Sequence, residues 1–428
     1  MKHQFYLFLV LVLFGCENNY EDIYRYSKII TQSKEYPVYL DMSEIENIQV
    51  KANSSLVKPF KILSNNKYYF VGDMLKGIHV YKKNAGSVSY LCFIECKYLK
   101  DFELSDDKLF CNNFVDLVIL DVNNPLMTTI LYRKKNQFNQ FSSYRYDWNI
   151  PYVEGKGIVA YTETHVLKGT VTDKQPNLDF SEYDKLYGNL TTKVLPDSLY
   201  SIHPENDKPY IGIIKVGTDE IYTYGSYNSW AICTFRSGTF NVREEDLWST
   251  PRGKYAPPYY YSDAYQVRMT IQDSVIYVLG ATYNNAGYCD CIIYDDNYPM
   301  TYQLYFSNSK PVDATYLSTM RAFFVLSGQS IWGAFKNNDP IEHRIESYLD
   351  YKISTDAIAI FSSGNNLITL GNNLSVYSPS ATEIKLVKSY PEISGMCYLK
   401  VGNILAVANV QGLFLYDINN LENIILIP

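Results

Sequence analysis

Past its first fifteen residues the chain has no apolar run of the ~20 residues a bilayer-spanning helix needs, so nothing beyond that point reads as membrane-spanning. It has no basic run either. With 38 Lys and Arg against 45 Asp and Glu, a formal charge of −7, there is little to neutralise phosphates, and nucleic acid is set aside as a partner. Helical apolar periodicity is scarce, which argues against a helical body. Catalytic motifs are also missing. Past the leader the histidines are His79, His165, His203 and His343, and none forms a His-x-His or His-Glu-x-x-His pair, so no metal site is expected. There is no Gly-x-Ser-x-Gly elbow, no Gly-rich phosphate loop ending in Lys-Ser or Lys-Thr, and no Gly-x-Gly-x-x-Gly. Nucleotide-dependent chemistry is therefore disfavoured, and no cofactor is expected. The acidic spots "SDDK" from Ser105 and "YDDN" from Tyr294 lack the alternating carboxylates of a calcium loop and read as strand turns. His79, set among apolar neighbours in "GIHVY", reads as a satisfied histidine inside a strand.

What is present begins at the N-terminus. Lys2 precedes an apolar stretch of about ten residues, Phe5 to Phe14, too short to span and right for the core of a signal peptide. Leu13-Phe14-Gly15-Cys16 resembles the bacterial lipobox, in which a small residue before Cys permits cleavage and the Cys receives the lipid. That resemblance makes residues 1–15 a signal peptide and Cys16 the lipid attachment point and first mature residue. Several acyl chains, at roughly 0.8 kcal/mol per buried methylene, hold a soluble body firmly to a membrane. Residues 16–36 are polar, with Glu17, Glu21 and Asp22, and read as a flexible tether, followed by a lead-in segment over 37–57. The expected location is the bacterial outer membrane, on its periplasmic or its surface face; the acidic residues behind Cys16 resemble a surface-export signal.

Aromatics reach 15%, mostly through 42 Tyr, and β-branched residues are plentiful, which favours an all-β fold. Eight cysteines, at 16, 92, 96, 111, 233, 289, 291 and 397, leave an odd number once Cys16 is lipidated, so at least one thiol stays free. Cys92 and Cys96 share the strand-like "YLCFIEC", which sets them ~13 Å apart, beyond disulfide reach. Cys289 and Cys291 lack partners at zinc-like spacing and read as small buried strand residues, while a bridge between different segments stays open.

Internal similarity is the strongest remaining signal. The stretches "NKYYFVGDMLKGIHVYKKN" from Asn66, "DKLFCNNFVDLVILDVNNP" from Asp107, "NNLITLGNNLSVYSPS" from Asn365 and "NILAVANVQGLFLYDINN" from Asn403 share one pattern. Each runs from a turn-forming Asn or Asp through a short apolar strand and a Gly, Asp or Asn to a second apolar strand. Gly77 to Asp116 is 39 residues and Asn373 to Gly412 is again 39. A period near 40 with about four strands per unit is the signature of propeller blades. One unit reads in full as strands over 101–104, 108–112, 117–122 and 127–132, the third apolar on both faces as a strand between neighbouring blades must be. The expected blades cover 58–92, 101–132, 211–240, 265–305, 312–348, 357–390 and 396–427, a β-propeller of about seven four-stranded blades over 58–428, with six or eight also compatible.

"DLVILDVNNP" from Asp116 and "GLFLYDINN" from Gly412 resemble the LVIVD repeat. Together with "PVYLDMSEIENIQV" from Pro37 and "GIHVY", the chain resembles the LVIVD-repeat β-propeller lipoproteins of Gram-negative bacteria. This resemblance implies a fold and brings no activity with it. The repeats in "GIHVYKKNAG" and "LSVYSPSA" depart from the Asp-Val-Ser-Asn-Pro turn.

A polar, aromatic insertion at about 134–209 separates the second and third units, and "STPRGKYAPPYYYS" from Ser249 is too rich in Pro to be regular sheet. Long insertions in such a fold are loops on one face, where function concentrates. Trp148 and Tyr259, Tyr260 and Tyr261 fall in these insertions and are the candidate ligand-binding residues, since exposed rings stack on sugars or anchor protein partners; packing of the insertion onto the propeller is the favoured account of them. Trp230 and Trp332 fall in strands and read as core, with Trp248 undecided. The functional expectation is a membrane-anchored module that binds or scaffolds a protein or glycan partner at the envelope. The alternative is a hydrolase of carbohydrate or envelope polymer with carboxylates meeting in the propeller channel. Two or more carboxylates, or an Arg cluster, converging in a deep central pocket favour the hydrolase, and an apolar or plugged channel sinks it.

Overall fold

The computed structural model describes residues 28–40, 46–113, 116–135, 158–171, 178–188, the strands from 212 to 306, 311–327, 329–336, 345–353 and 357–428. Strands dominate the described residues, and they divide into two compact units.

The larger unit, residues 45–147 and 196–428, holds seven antiparallel sheets in which the strands follow one another in chain order. Their first strands are Pro59–Ser64, Phe102–Ser105, Gly212–Val216, Ala264–Gln272, Pro311–Leu317, Ala357–Ser363 and Cys397–Val401. Each sheet has four strands except sheet 1, where Gln49–Lys51 adds a fifth on the outer edge of Ser87–Glu95. Every first strand lies against the first strand of the next sheet, and that of sheet 7 lies against that of sheet 1.

The local reasons are those the sequence offers. In sheet 2 the strands run Phe102–Ser105, Lys108–Asn113, Asp116–Asp121 and Thr129–Lys134, within two residues of expectation. Leu117, Val118, Ile119 and Leu120 are all fully buried, so the third strand is covered on both faces. At roughly 1.5–3 kcal/mol for each fully buried aliphatic side chain, this strand alone is a major contributor to the sheet-to-sheet core. The acidic turn after Ser105 is confirmed by Asp106, whose φ of 54° is the left-handed conformation that short polar side chains tolerate. Gly77 and Gly412 open the third strands of sheets 1 and 7 with φ of 150° and 142°. A Cβ on Gly77 would strike the Ile94 carbonyl, so only glycine fits there.

Apolar clusters fill the spaces between sheets. One joins Phe70, Ile94 and Leu99 to Phe102, Leu109 and Leu120 of sheet 2. Others lie between sheets 4 and 5, 5 and 6, and 6 and 7. The last unites Ile62, Tyr69 and Val71 of sheet 1 with Ala406, Ala408 and Leu415 of sheet 7.

The smaller unit, residues 1–44 and 148–195, corrects two expectations. Lys28–Leu40 is a strand that pairs antiparallel with Ile158–Val171, from Lys28↔Val171 to Leu40↔Ile158, with a bulge at Val38/Tyr39. The segment read as a tether to residue 36 is thus ordered into sheet from Lys28 on. Its alternation of Ile30, Gln32 and Lys34 with Ile29, Thr31 and Ser33 suits a ribbon but carries too little apolar weight to announce one. The insertion read as loop contributes the partner strand and a helix, Ser181–Gly188. Lys34 Nζ reaches Asp184 Oδ1 at 2.6 Å, and the Leu178 amide donates to Gln32 Oε1 at 2.8 Å, tying strand to helix.

Candidate functional site

The charged side chains of the first strands meet each other. Lys61, in the middle of the first strand of sheet 1, places Nζ 3.0 Å from Asp101 Oδ1, 3.4 Å from Glu103 Oε2 and 3.2 Å from the Ile213 carbonyl. Asp101 and Glu103 belong to sheet 2 and Ile213 to sheet 3, so one ammonium joins three sheets. Burial alone would pull the Lys61 ammonium down, but the charges of Asp101 and Glu103 and their hydrogen bonds outweigh it, and it is held above the usual lysine range. Asp101 also accepts from the Phe102 amide at 2.9 Å through Oδ1 and from the Ile213 amide at 2.7 Å through Oδ2. Glu103 Oε1 accepts from the Leu104 amide at 3.0 Å. Every oxygen of both carboxylates is therefore occupied, and the lysine sits 5.8 Å above the Phe102 ring.

A second polar junction repeats the device. Asp313, buried on the first strand of sheet 5, accepts at Oδ2 from the Ile360 amide of sheet 6 at 3.0 Å and from Tyr398 Oη of sheet 7 at 3.3 Å. Tyr398 stacks on Phe361 with ring centroids 4.5 Å apart, filling the space beside the junction with aromatic carbon. In both places an aspartate takes the backbone amide of the next sheet, Asp101 from just ahead of its first strand and Asp313 from within one. A carboxylate in an otherwise apolar strand, in "KDFELS" and "PVDATYL", is the sequence signal that could have found them.

Two further polar groups hold segments to sheets. Asp73 accepts from the Lys58 amide at 2.6 Å and the Val57 amide at 3.1 Å, and lies 3.4 Å from His79 Nε2. Of the expected satisfied histidine the structure supports half: Nε2 faces Asp73, the ring packs 4.7 Å from Phe93, and buried Nδ1 has no hydrogen-bond partner. Arg133 donates to Asn113 Oδ1 at 2.8 Å, Asp116 Oδ2 at 2.9 Å and the Glu46 carbonyl at 2.8 Å, fastening the lead-in segment to sheet 2.

The six described cysteines are all buried and free, including Cys289 and Cys291. Burial pushes the Cys92 thiol up to about 11. Trp332 packs half-buried against the cluster between sheets 4 and 5, as a core residue does. Cys16, Trp148, Trp248, Tyr259, Tyr260 and Tyr261 lie outside the described residues, and of Trp230 only the backbone is described. Among the described residues no three His, Cys, Asp or Glu side chains are grouped to hold a metal, and no helix is long and apolar enough to cross a membrane.

No family model matches the chain, and no curated protein matches it. Among solved structures, a chain of the mitotic checkpoint complex is similar at 10% identity, covering 85% of this chain and 89% of that one, with a TM-score of 0.49. Sqt1 of Saccharomyces cerevisiae is similar at 6% identity, covering 93% and 100%, with a TM-score of 0.46. The WD40 domain of SCAP from fission yeast is similar at 9% identity, covering 90% and 72%, with a TM-score of 0.37. The fold reading rests on the sheets and their contacts.

Proposed function

We propose that the chain is a lipid-anchored, seven-bladed β-propeller that binds or scaffolds a protein or glycan partner at the bacterial outer membrane. The seven sheets are its blades, and the cyclic contacts of the first strands support a closed ring of that number. Anchoring rests on the lipobox-like Leu13–Cys16.

The observation that carries the binding reading over the hydrolase is the use made of the inner charges. Glycoside hydrolysis needs one carboxyl to give a proton and a second to attack or to activate water. Asp101 and Glu103 are instead committed to Lys61 and to backbone amides, and Asp313 to Ile360 and Tyr398. These groups hold blades together, which leaves recognition to the outer surface. There Leu126, Met127, Ile130 and Leu131 are 55%, 74%, 45% and 44% exposed, grouped around the outer strand of sheet 2 just ahead of the insertion. Exposed apolar side chains close together in sequence suit a protein partner.

The test is a pull-down from intact cells with the tagged protein beside a Cys16→Ala control, bound proteins and glycans being identified by mass spectrometry. A reproducible partner lost on deleting 134–209 supports the reading and puts the site in the insertion. Hydrolysis of an envelope polymer that is lost in Asp101→Asn or Asp313→Asn, each variant remaining folded by circular dichroism, would overturn it.

A further inference from the structure

Lys61, Asp101 and Glu103 do more than neutralise one another: they bring together the groups that amide formation needs. A lysine amine is a nucleophile once it gives up its proton, and a carboxyl group accepts it once an oxygen can leave as water. The reaction needs the amine against the carboxyl, a base to move the protons, a donor on the oxygen that stays, and a site largely closed to solvent. Each is present. Lys61 Nζ lies 3.0 Å from Asp101 Oδ1, and Glu103 Oε2 lies 3.4 Å from the same nitrogen. The Ile213 amide donates to the other oxygen, Asp101 Oδ2, at 2.7 Å. All three side chains are largely buried. The Phe102 ring stands 5.8 Å from the nitrogen, and Phe60 meets that ring edge-on with centroids 5.9 Å apart. The backbone holds the groups in place, since Lys61 is paired with Gly72, Glu103 with Phe110, and the Asp101 amide donates to Asn112 Oδ1 at 2.9 Å.

We propose that Lys61 and Asp101 condense to an isopeptide bond inside the folded chain, with Glu103 relaying the protons, so that sheets 1 and 2 become covalently joined. This goes beyond the function reading and needs neither the anchor nor a partner. Glu103 first passes one ammonium proton from Nζ to Oδ1, which leaves a neutral amine beside a neutral carboxyl. Nζ then attacks Cγ, the N–C bond forms, and negative charge gathers on Oδ2 against the Ile213 amide. Glu103 takes a second proton from the nitrogen and gives it to Oδ1, the Cγ–Oδ1 bond breaks, and one water departs. Glu103 ends as the carboxylate it began as, and nothing is oxidised or reduced. Contact between amine and carboxyl supplies the effective concentration that separate groups in water lack. The product also suits the site: its carbonyl keeps the Ile213 amide, and its N–H stays near the Ile213 carbonyl, now 3.2 Å from Nζ, at the cost of the bond from the Phe102 amide to Oδ1. The ion pair is the state that folding delivers. Because two carboxylates hold the ammonium protonated, the neutral pair is visited rarely and the conversion is slow.

The full chain is purified, kept folded for several days with samples taken through that time, then denatured and digested with trypsin. Trypsin cuts after a free Lys61, not after one whose amine is an amide, and it spares Lys58 because Pro59 follows. The expected product is a branched peptide, residues 52–67 joined to 101–108, lighter than the two together by one water and growing with time. Fragmentation in the mass spectrometer places the link on Lys61 and Asp101. Lys61→Arg keeps the charge without the nucleophile and should give no link, and its urea midpoint should lie below that of the linked wild type. Glu103→Gln should form the link roughly a hundredfold more slowly, for want of the base. Circular dichroism checks that both variants are folded. A folded wild type whose Lys61 stays fully cleavable overturns the proposal, as does a link that forms equally fast in Glu103→Gln or in wild type held unfolded in urea.

Discussion

Asp101→Asn is the sharpest probe of the idea that inner charges hold the sheets together. The substitution keeps the size and shape of the side chain and removes one acceptor. Asp101 accepts from three donors, Lys61 Nζ and the Phe102 amide on Oδ1 and the Ile213 amide on Oδ2. An asparagine oxygen can serve only one side, so its NH2 must face either the Ile213 N–H or the lysine. If it faces Ile213, a bond to a charged acceptor is lost and a donor is left against a donor, which costs about 2 kcal/mol. Lys61 also keeps only Glu103 as a counter-charge, at 3.4 Å, in a site where the side chains of Lys61 and Asp101 are 24% and 13% exposed. Allowing for that partial exposure, the weakened pairing costs roughly a further 1 kcal/mol. The total of about 3 kcal/mol would lower the urea midpoint by about 1 M at a denaturant slope near 3 kcal/mol/M. Glu103→Gln is the control, because its loss is one long contact to Lys61, worth about 1 kcal/mol or less. Equilibrium urea unfolding followed by tyrosine fluorescence measures both. If Asp101→Asn lies within 0.5 kcal/mol of wild type, or costs no more than Glu103→Gln, the inner charges do not hold sheets 1, 2 and 3 together and the reasoning fails.

Three other outcomes are expected. Gly77→Ala should destabilise by more than about 3 kcal/mol, since the new methyl meets the Ile94 carbonyl and the Cys96 amide, whereas Gly86→Ala, with nothing within 4 Å, should cost about 1 kcal/mol from its backbone conformation alone; paired thermal melts separate them. Arg133→Met takes the cation from the nearly buried Asp116 and a donor from the Glu46 carbonyl, and should cost about 3 kcal/mol in urea unfolding, with part recovered in Arg133→Met/Asp116→Asn. Stability should fall on the alkaline side: the Cys92 thiol is pushed from an ordinary value of 9.0 up to about 11 and Tyr81 from 10.0 up to about 12, chiefly by burial. The folded state then holds protons that the unfolded state releases, so stability is full below pH 9 and falls from there to about pH 12, by roughly 3 kcal/mol for Cys92 alone. Lys61, held above 10.5, adds a loss as pH passes its raised value. Melts from pH 7 to 11 in Cys92→Ala beside wild type test it: an equal slope in the two would remove Cys92 from the account.

The sheets were legible because their signals are local. A strand covered on both faces must be apolar at consecutive positions, and "LVILD" is; a turn that needs a positive φ takes Gly or Asp, and Gly77, Gly412 and Asp106 stand where those turns occur. The ribbon of Lys28–Leu40 with Ile158–Val171 was not legible, because its partner lies about 120 residues away and neither strand has the apolar face that marks burial. The inner junctions were hidden for another reason. Lys61 and Asp101 are 40 positions apart, and which face of a first strand points toward the next sheet depends on how the sheets are arranged rather than on the strand itself. A charged residue inside a short strand hints that a partner exists, yet names neither the partner nor the side.

Closure of the proposed ring raises a physical problem that the seam between sheets 7 and 1 answers. Propellers can lock themselves by completing one sheet with strands from both chain ends. Here, among the described residues, sheet 1 is built from 49–95 and sheet 7 from 397–427, and neither takes a strand from the other. Bringing Pro59–Ser64 against Cys397–Val401 closes a loop of roughly 330 residues, an entropic cost on the order of 5 kcal/mol. Side chains must offset it. The seam buries Ile62, Val71, Tyr69, Tyr81, Leu413 and Leu415, and at about 1.5–3 kcal/mol for each large apolar side chain their burial exceeds the closure cost by a clear margin. Ala406 and Ala408 give no such energy; they are small where Tyr69 and Tyr81 are large, which lets the two sheets approach. A seam of this kind forms only once both sheets exist, because neither half offers an edge onto which the other can grow. The polar junctions that join sheets 1, 2 and 3 and sheets 5, 6 and 7 add hydrogen-bonded contacts between sheets to the apolar seam.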